Sequence, residues 1–306
     1  MVEPGAKSMA LSLGKRLRAL RAFSFPVSVL PVLVATAVVH PPAQWHWGIL
    51  IASMFGVALL HAAGNLFNDY FDFRSGVDRK LEDDEFRPGR LLVRGELIPK
   101  DILAEALICL LLALPVGAYL IWHCGPGLLW FAGAAGLGLY CYTGPPLKLK
   151  YRTLGEPLIF LVFGPLLMLG ASYAQIGLLN WNVLLLSIPV GLATTAILAA
   201  NNIRDQQEDQ VAGIATLAQV VGERALRWIY MLLVGGCVFG LAGLAIAKVG
   251  PGILIFTPVL LVLLLKPLAH VWQSKRLADI DARTARFESV LLVFLLVSLL
   301  FGHTPS

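Results

Sequence analysis

Apolar runs of bilayer-spanning length recur along the chain near 23–41, 47–68, 102–122, 125–142, 157–178, 182–202, 226–247, 251–270 and 286–302. A helix satisfies its own backbone in hydrocarbon, so the pattern predicts an all-α integral membrane protein with nine transmembrane helices. Gly and Pro interrupt the fourth and eighth runs, whose ends are the least sharply drawn. Pro26 and Pro31 are expected to kink the first span, Pro165 the fifth and Pro189 the sixth. Residues 1–22 read as a cytoplasmic N-terminal segment, and 1–306 as a single transmembrane domain.

Polar residues break this pattern most sharply between His61 and Asp78, where an apolar run passes into a charged loop. On a helix, His61, Asn65, Asn68 and Asp72 fall at i, i+4, i+7 and i+11 and share one face. Asp69 stands beside them, and Asp78 follows Gly76, a residue suited to ending the helix. A second cluster closes the sixth run: Asn202, Asp205 and Asp209 lie at i, i+3 and i+7, ahead of Ala212-Gly213. The two clusters follow spans two and six, so a four-helix unit separates them and both emerge on the same side. Two such clusters are expected to face each other across a central cavity. The bland alternative is a pair of solvated helix ends.

Composition fits the membrane reading and sets its orientation. The 306 residues are 58% hydrophobic and 14% charged, with mean hydropathy +0.76; a soluble chain carries about 25% charged residues. With nine spans, 23 of the 24 Lys/Arg fall on one side, leaving Lys248 opposite, and all 19 acids fall on the basic side or its helix ends. The positive-inside rule makes that side cytoplasmic, with the N-terminus in and the C-terminus out, as in a bacterial inner membrane. The net charge of +5 is thereby a topology signal and needs no nucleic acid partner. Cys109, Cys124, Cys141 and Cys237 are scattered through apolar segments without paired spacing, which indicates neither a zinc site nor a disulfide framework.

Carboxylates at a membrane helix end cost several kcal/mol unless paired or metal-bound. Hard oxygen donors suit Mg²⁺, which takes few protein carboxylates and prefers substrate phosphates for the rest. Asn68, Asp69, Asp72 and Asp78 would form one metal site, and Asn202, Asp205 and Asp209 the other. A diphosphate fits between them, and Lys148, Lys150, Arg152 and Arg204 offer cations for its oxygens, with Asn65 at the same rim. Tyr140 and Tyr142 could stabilise a cation left by departing diphosphate, although interfacial tyrosines are common. A cation or phosphate transporter is a rival reading, but it wants charge deep in the spans or on both sides. A non-catalytic ion-binding scaffold leaves the Tyr and Lys/Arg loop unexplained.

Asn68-Asp69-Tyr70-Phe71-Asp72 with Gly76-Val77-Asp78, and Asn202-Ile203-Arg204-Asp205 with Asp209 and Ala212-Gly213, resemble the two aspartate motifs of UbiA-type membrane prenyltransferases. Phe25-Pro26, Arg94-Gly95-Glu96-Leu97, Tyr142-Thr143-Gly144-Pro145-Pro146, Leu154-Gly155-Glu156 and Thr216-Leu217-Ala218 add to the resemblance, which covers roughly residues 20–300. Within the family the chain looks most like the branch that prenylates 1,4-dihydroxy-2-naphthoate in menaquinone biosynthesis. It departs from that branch at Pro145, where a second Gly is usual, and at Ile214-Ala215, where a basic residue is usual. The resemblance implies Mg²⁺-dependent transfer of a polyprenyl chain from polyprenyl diphosphate to an aromatic acceptor. Asp72, Asp205, Tyr140 and Tyr142 would carry the chemistry. Sister enzymes acting on a hydroxybenzoate, a homogentisate or a tetrapyrrole keep the same motifs.

Overall fold

The computed structural model describes residues 14–76, 90–273 and 279–302, and these are almost entirely helical. The spans are α1 (Pro26–Val39), α2 (Trp47–Ser75), α3 (Pro99–Cys124), α4 (Leu128–Thr143), α5 (Gly155–Ile176), α6 (Trp181–Ala212), α7 (Glu223–Ile246), α8 (Gly252–Trp272) and α9 (Ile280–Phe301). Eight of these nine are long and apolar enough to cross a membrane once the 310 turn Ala22–Ser24 is counted with α1. The ninth, α4, is apolar but has 16 residues, about 24 Å against a hydrocarbon core of about 30 Å.

Proline and glycine shape the spans as the backbone rules require. The fifth span widens into a π turn over Val162–Leu166 around Pro165, which has no N–H to donate. The eighth runs as a tight 310 helix through Gly252–Leu264, containing Pro258, and becomes α-helical only at Leu265–Trp272. Where α5 crosses α6, Gly164 and Gly191 let the backbones meet: a Cβ on Gly164 would lie 2.7 Å from the Ser187 carbonyl oxygen. That close approach seats the first turn of α5 beside the polar end of α6.

Helices α2 and α6 run past the membrane limits that hydropathy alone assigns. With 29 and 32 residues, they measure about 44 and 48 Å, so their last turns stand clear of the hydrocarbon core. Both stop at a left-handed glycine, Gly76 (φ 78°) and Gly213 (φ 71°), whose N–H groups cap the carbonyls of Asp72 and Asp209. The polar residues keep the same register before each cap: Asn65, Asn68 and Asp72 on α2 match Asn202, Asp205 and Asp209 on α6. The sequence repeat is therefore a repeat of helix geometry.

The core collects around α6, where 67% of the apolar window is buried, against 11% for the lipid-facing α3. Val32, Leu50, Met168, Val190, Tyr230, Leu241, Phe287 and Leu295 form its centre. Helices α7 and α8 pack behind α6, and a cavity opens on its other side among α1 to α6 and α9. One acid departs from the expected sorting. Because α9 begins at Ile280 and not near 286, Glu288 lies two turns inside the span, fully buried, with Thr194 donating to Oε1 at 2.5 Å. Intact cells treated with an impermeant thiol reagent are expected to label cysteine probes at Gly177 and Lys248 but not at Ser75. Labelling at Ser75 would reverse the orientation drawn from the charges.

Candidate functional site

The cavity has a volume of about 1570 Å³, above the ~300–1,000 Å³ usual for a small-molecule pocket. Its depth is lined by apolar residues such as Val116, Phe131, Leu166 and Ile197, and its charged mouth by the ends of α2 and α6. From α2 come Asn65, Asn68, Asp69 and Asp72, and from α6 come Asn202, Arg204, Asp205 and Asp209. Tyr142 and Lys150 close the rim.

Each acid meets a defined partner. The Asp69 carboxylate is 3% exposed and accepts from the Arg21 guanidinium at 2.6 Å. Asp72 accepts from Lys150 Nζ at 2.7 Å and from the Tyr151 hydroxyl, while Lys150 also donates to Asn68 Oδ1 at 3.0 Å. The turn Leu149–Tyr151, entered through Lys148 in the left-handed region (φ 46°), places both side chains on α2. On α6, Arg204 grips Asp205 with Nε at 2.6 Å and Nη2 at 3.0 Å, and reaches Asp281 at the start of α9. Asn202 donates to Glu156 Oε1 at 2.6 Å, and Thr216 donates to Asp209 at 3.3 Å. An isolated parallel bridge between Arg152 and Ala215 ties the two rim loops together.

The structure does not bring every nominated residue to this site. Tyr140 is 42% exposed and packs edge-on against Phe71, outside the cavity lining. Lys148 stands outside the lining, and Arg152 is exposed, donating to the Pro146 carbonyl at 3.4 Å. Asn65 lines the cavity, but its amide donates to the Leu20 carbonyl at 3.0 Å, which ties α2 to the segment before α1. Asp78 lies outside the described residues. Conversely, Arg21, Tyr151 and Asp281 join the site from segments without a motif, and Glu156 joins it from the Leu154-Gly155-Glu156 stretch, where no site role was assigned to it. Glu156 had the nearest sequence signal, as a member of that stretch, and Tyr151 adjoins Lys150.

The donor set suits Mg²⁺. Among the described residues, no three acidic, His or Cys side chains are grouped closely enough to hold an ion by themselves. Mg²⁺ rarely asks for such a cage, binding through one or two carboxylates plus phosphate oxygens and water. Asp72 with Asn68, and Asp209 with Asp205, provide hard donors of that kind on facing helices.

Burial raises the Asp209 pKa to about 7; Lys150 opposes the shift and Asp205 adds to it. Its folded pKa is above the unfolded value, so between the two the folded state keeps a proton that the unfolded chain has lost. That stabilisation is lost as pH rises through about 7. A metal bound by Asp209 would have to displace the same proton. Apparent Mg²⁺ affinity, followed by the shift in thermal unfolding, is therefore expected to rise up to about tenfold per unit below pH 7 and level off above it. A flat profile from pH 5.5 to 8 would rule Asp209 out as a metal ligand.

The comparisons agree with this architecture. A UbiA homolog from Archaeoglobus fulgidus, solved bound to GPP and Mg²⁺, superposes with a TM-score of 0.67 at 16% identity, over 94% of this chain and 99% of that one. A structure described for digeranylgeranylglyceryl phosphate synthase gives 0.61 at 18% identity, covering 95% and 98%. At these identities the likeness is one of fold. In sequence, the chain is 35% identical to the chicken UbiA prenyltransferase domain-containing protein 1 over 223 residues, 70% of this chain but only 64% of that protein's length. The mouse protein of the same name is 30% identical over 293 residues, 94% and 84% of the two chains. Residues 28–299 match the UbiA prenyltransferase family, a stretch that runs from the first span to the ninth and includes both acidic helix ends; the chain belongs to that family.

Proposed function

We propose that the protein transfers a polyprenyl chain from its diphosphate to an aromatic ring, with 1,4-dihydroxy-2-naphthoate as acceptor and Mg²⁺ as cofactor. The observation that carries this reading is the continuity of an apolar cavity with a mouth bearing two registered acidic motifs. An isoprenoid tail takes the apolar depth, and its diphosphate lies at the mouth. The archaeal neighbour, solved with GPP and Mg²⁺, supports the same pairing of ligands. Asn68 and Asp72 on α2, with Asp205 and Asp209 on α6, would hold the metal, which supplies positive charge to the departing diphosphate. Lys150 and Arg204, which line the same rim, would offer cations to its oxygens. Tyr142, rather than the outward Tyr140, presents its ring to the cavity, where an allylic cation develops. Apolar walls keep water from capturing that cation. With the basic side in the cytoplasm, both substrates enter from there or from the surrounding lipid.

The curated relatives carry a different name from the naphthoate branch, so an acceptor outside that branch is the second reading. Purified protein with Mg²⁺ and labelled prenyl diphosphate, offered dihydroxynaphthoate, 4-hydroxybenzoate and homogentisate, separates the two. Mass analysis is expected to find the prenylated naphthalenediol with its carboxylate lost. A product from another ring alone would reassign the acceptor, and no product from any ring would overturn the transfer reaction.

A further inference from the structure

Between the acidic mouth and the apolar depth, three polar side chains meet in the cavity wall: His61 of α2, Ser28 of α1 and Ser24 just before it. His61 Nδ1 lies 2.8 Å from Ser28 Oγ, and its Nε2 lies 3.3 Å from Ser24 Oγ. Both serines also have a backbone carbonyl within reach. Ser24 Oγ donates to the Arg21 carbonyl at 2.8 Å, and Ser28 Oγ to the Phe25 carbonyl at 3.1 Å. Each hydroxyl thus has a backbone carbonyl to donate to, which leaves its oxygen able to accept from the imidazole.

A neutral imidazole has one N–H to give, and a charged one is costly in an apolar wall. The N–H serves the shorter contact, from Nδ1 to Ser28. Nε2 is then the unprotonated nitrogen, held only by the longer 3.3 Å contact to Ser24 Oγ, on a side chain that lines the cavity. A base whose other nitrogen is fixed by a hydrogen bond is the arrangement proton abstraction requires. Arg21 is the charged group acting on this ring; α5 presents the Phe163 ring at 5.5 Å, and the Phe25 ring stands at 5.7 Å. Along α2, His61 lies seven residues from Asn68, about 10 Å at 1.5 Å per residue. An aromatic ring stacked against the reacting carbon of the prenyl chain spans much of that gap.

We propose that His61 is the general base that activates the aromatic acceptor, taking the proton of a ring hydroxyl on Nε2. This role rests on the transfer reaction proposed above. The hydroxyl O–H bond breaks and its proton moves to Nε2, leaving the oxygen anionic. A ring carbon then bonds to the first carbon of the prenyl chain as the carbon–oxygen bond to diphosphate breaks, and diphosphate leaves with the electron pair. Aromaticity returns as the displaced ring group departs, as CO2 from a ring carboxylate or as a proton to the released diphosphate. The proton held on Nε2 goes back to the ring oxygen.

The test compares wild type with His61→Gln and Ser28→Ala, using acceptors that differ only in ring-hydroxyl acidity. General bases contribute about 10²–10⁴-fold, so His61→Gln is expected to lower kcat at least ~100-fold. The KM for prenyl diphosphate should stay within about twofold if only this step is affected. The acid limb of the wild-type kcat profile should disappear, and the loss should shrink as the hydroxyl becomes acidic enough to ionise unaided. Ser28→Ala keeps the imidazole but frees its tautomer, and should cost less while shifting the acid limb. An active wild type whose His61→Gln variant keeps its pH profile and loses equally on every acceptor would overturn the base. Should His61→Gln fail to fold, an unshifted profile in Ser28→Ala would overturn it instead. A wild type inactive on every acceptor would overturn the transfer reaction and this role with it.

Discussion

Asp72→Asn and Asp205→Asn should each lower prenyl transfer at least about a hundredfold while the protein still inserts and folds. Losing a partner that merely orients a metal ligand already costs ten- to hundredfold, and these changes remove a ligand's charge outright. The amide keeps the size of the carboxylate, so the helix ends need not repack. Local losses differ between the two. Asp72→Asn takes the anion from Lys150, an ammonium on a side chain 20% exposed. Asp205→Asn leaves Arg204 with its second carboxylate, Asp281. The first variant should therefore unfold at a lower temperature than the second, although both lose activity. Raising Mg²⁺ should recover part of the rate if the missing charge weakened metal binding. Wild-type turnover in either variant would leave the two-motif site without support.

Much of this site could be read from spacing, because helix periodicity converts sequence separation into direction. Asn65, Asn68 and Asp72 share a face by arithmetic alone, and so do Asn202, Asp205 and Asp209. The glycines that end both helices were visible as well, although the apolar runs stopped short of the last turns that carry the acids. The same periodicity argues against pairing Tyr140 with Tyr142. Residues two apart on a helix point roughly 200° from each other, so one faces the cavity and the other packs on Phe71.

Partners from other segments were beyond periodicity. Arg21 precedes α1, Glu156 opens α5 and Asp281 opens α9; only packing brings them to α2 and α6. The loop cations were similarly open, since Lys148, Lys150 and Arg152 alternate along a segment without a helical repeat. The 310 turn at Leu149–Tyr151 makes the choice among them. Glu288 was hidden for a different reason: extending α9 by six residues turns a helix-end acid into a buried one.

Lys150→Ala is expected to reduce kcat/KM for prenyl diphosphate ten- to hundredfold, whereas Lys148→Ala should stay within about twofold, because only Lys150 lines the cavity. A hydrogen bond to a charged group contributes roughly 1.5–3 kcal/mol, which corresponds to that range. Burial by itself would lower the Lys150 pKa, but Asp72 beside it, then Tyr142 and Asp209, hold it above the usual lysine value. The ammonium is therefore charged at any working pH. It bridges Asn68 and Asp72, two donors proposed for the first metal site. A metal held there would compete with Lys150 for Asp72, and the ammonium would then be available to a diphosphate. The competing account makes Lys150 only a counter-ion that keeps Asp72 soluble in the rim. The two accounts predict opposite kinetics. As a diphosphate ligand, its loss raises KM for prenyl diphosphate, leaves KM for the acceptor nearly unchanged, and is partly rescued by Lys150→Arg. As a counter-ion alone, its removal uncovers Asp72, so Mg²⁺ binds more tightly and the diphosphate kinetics barely move.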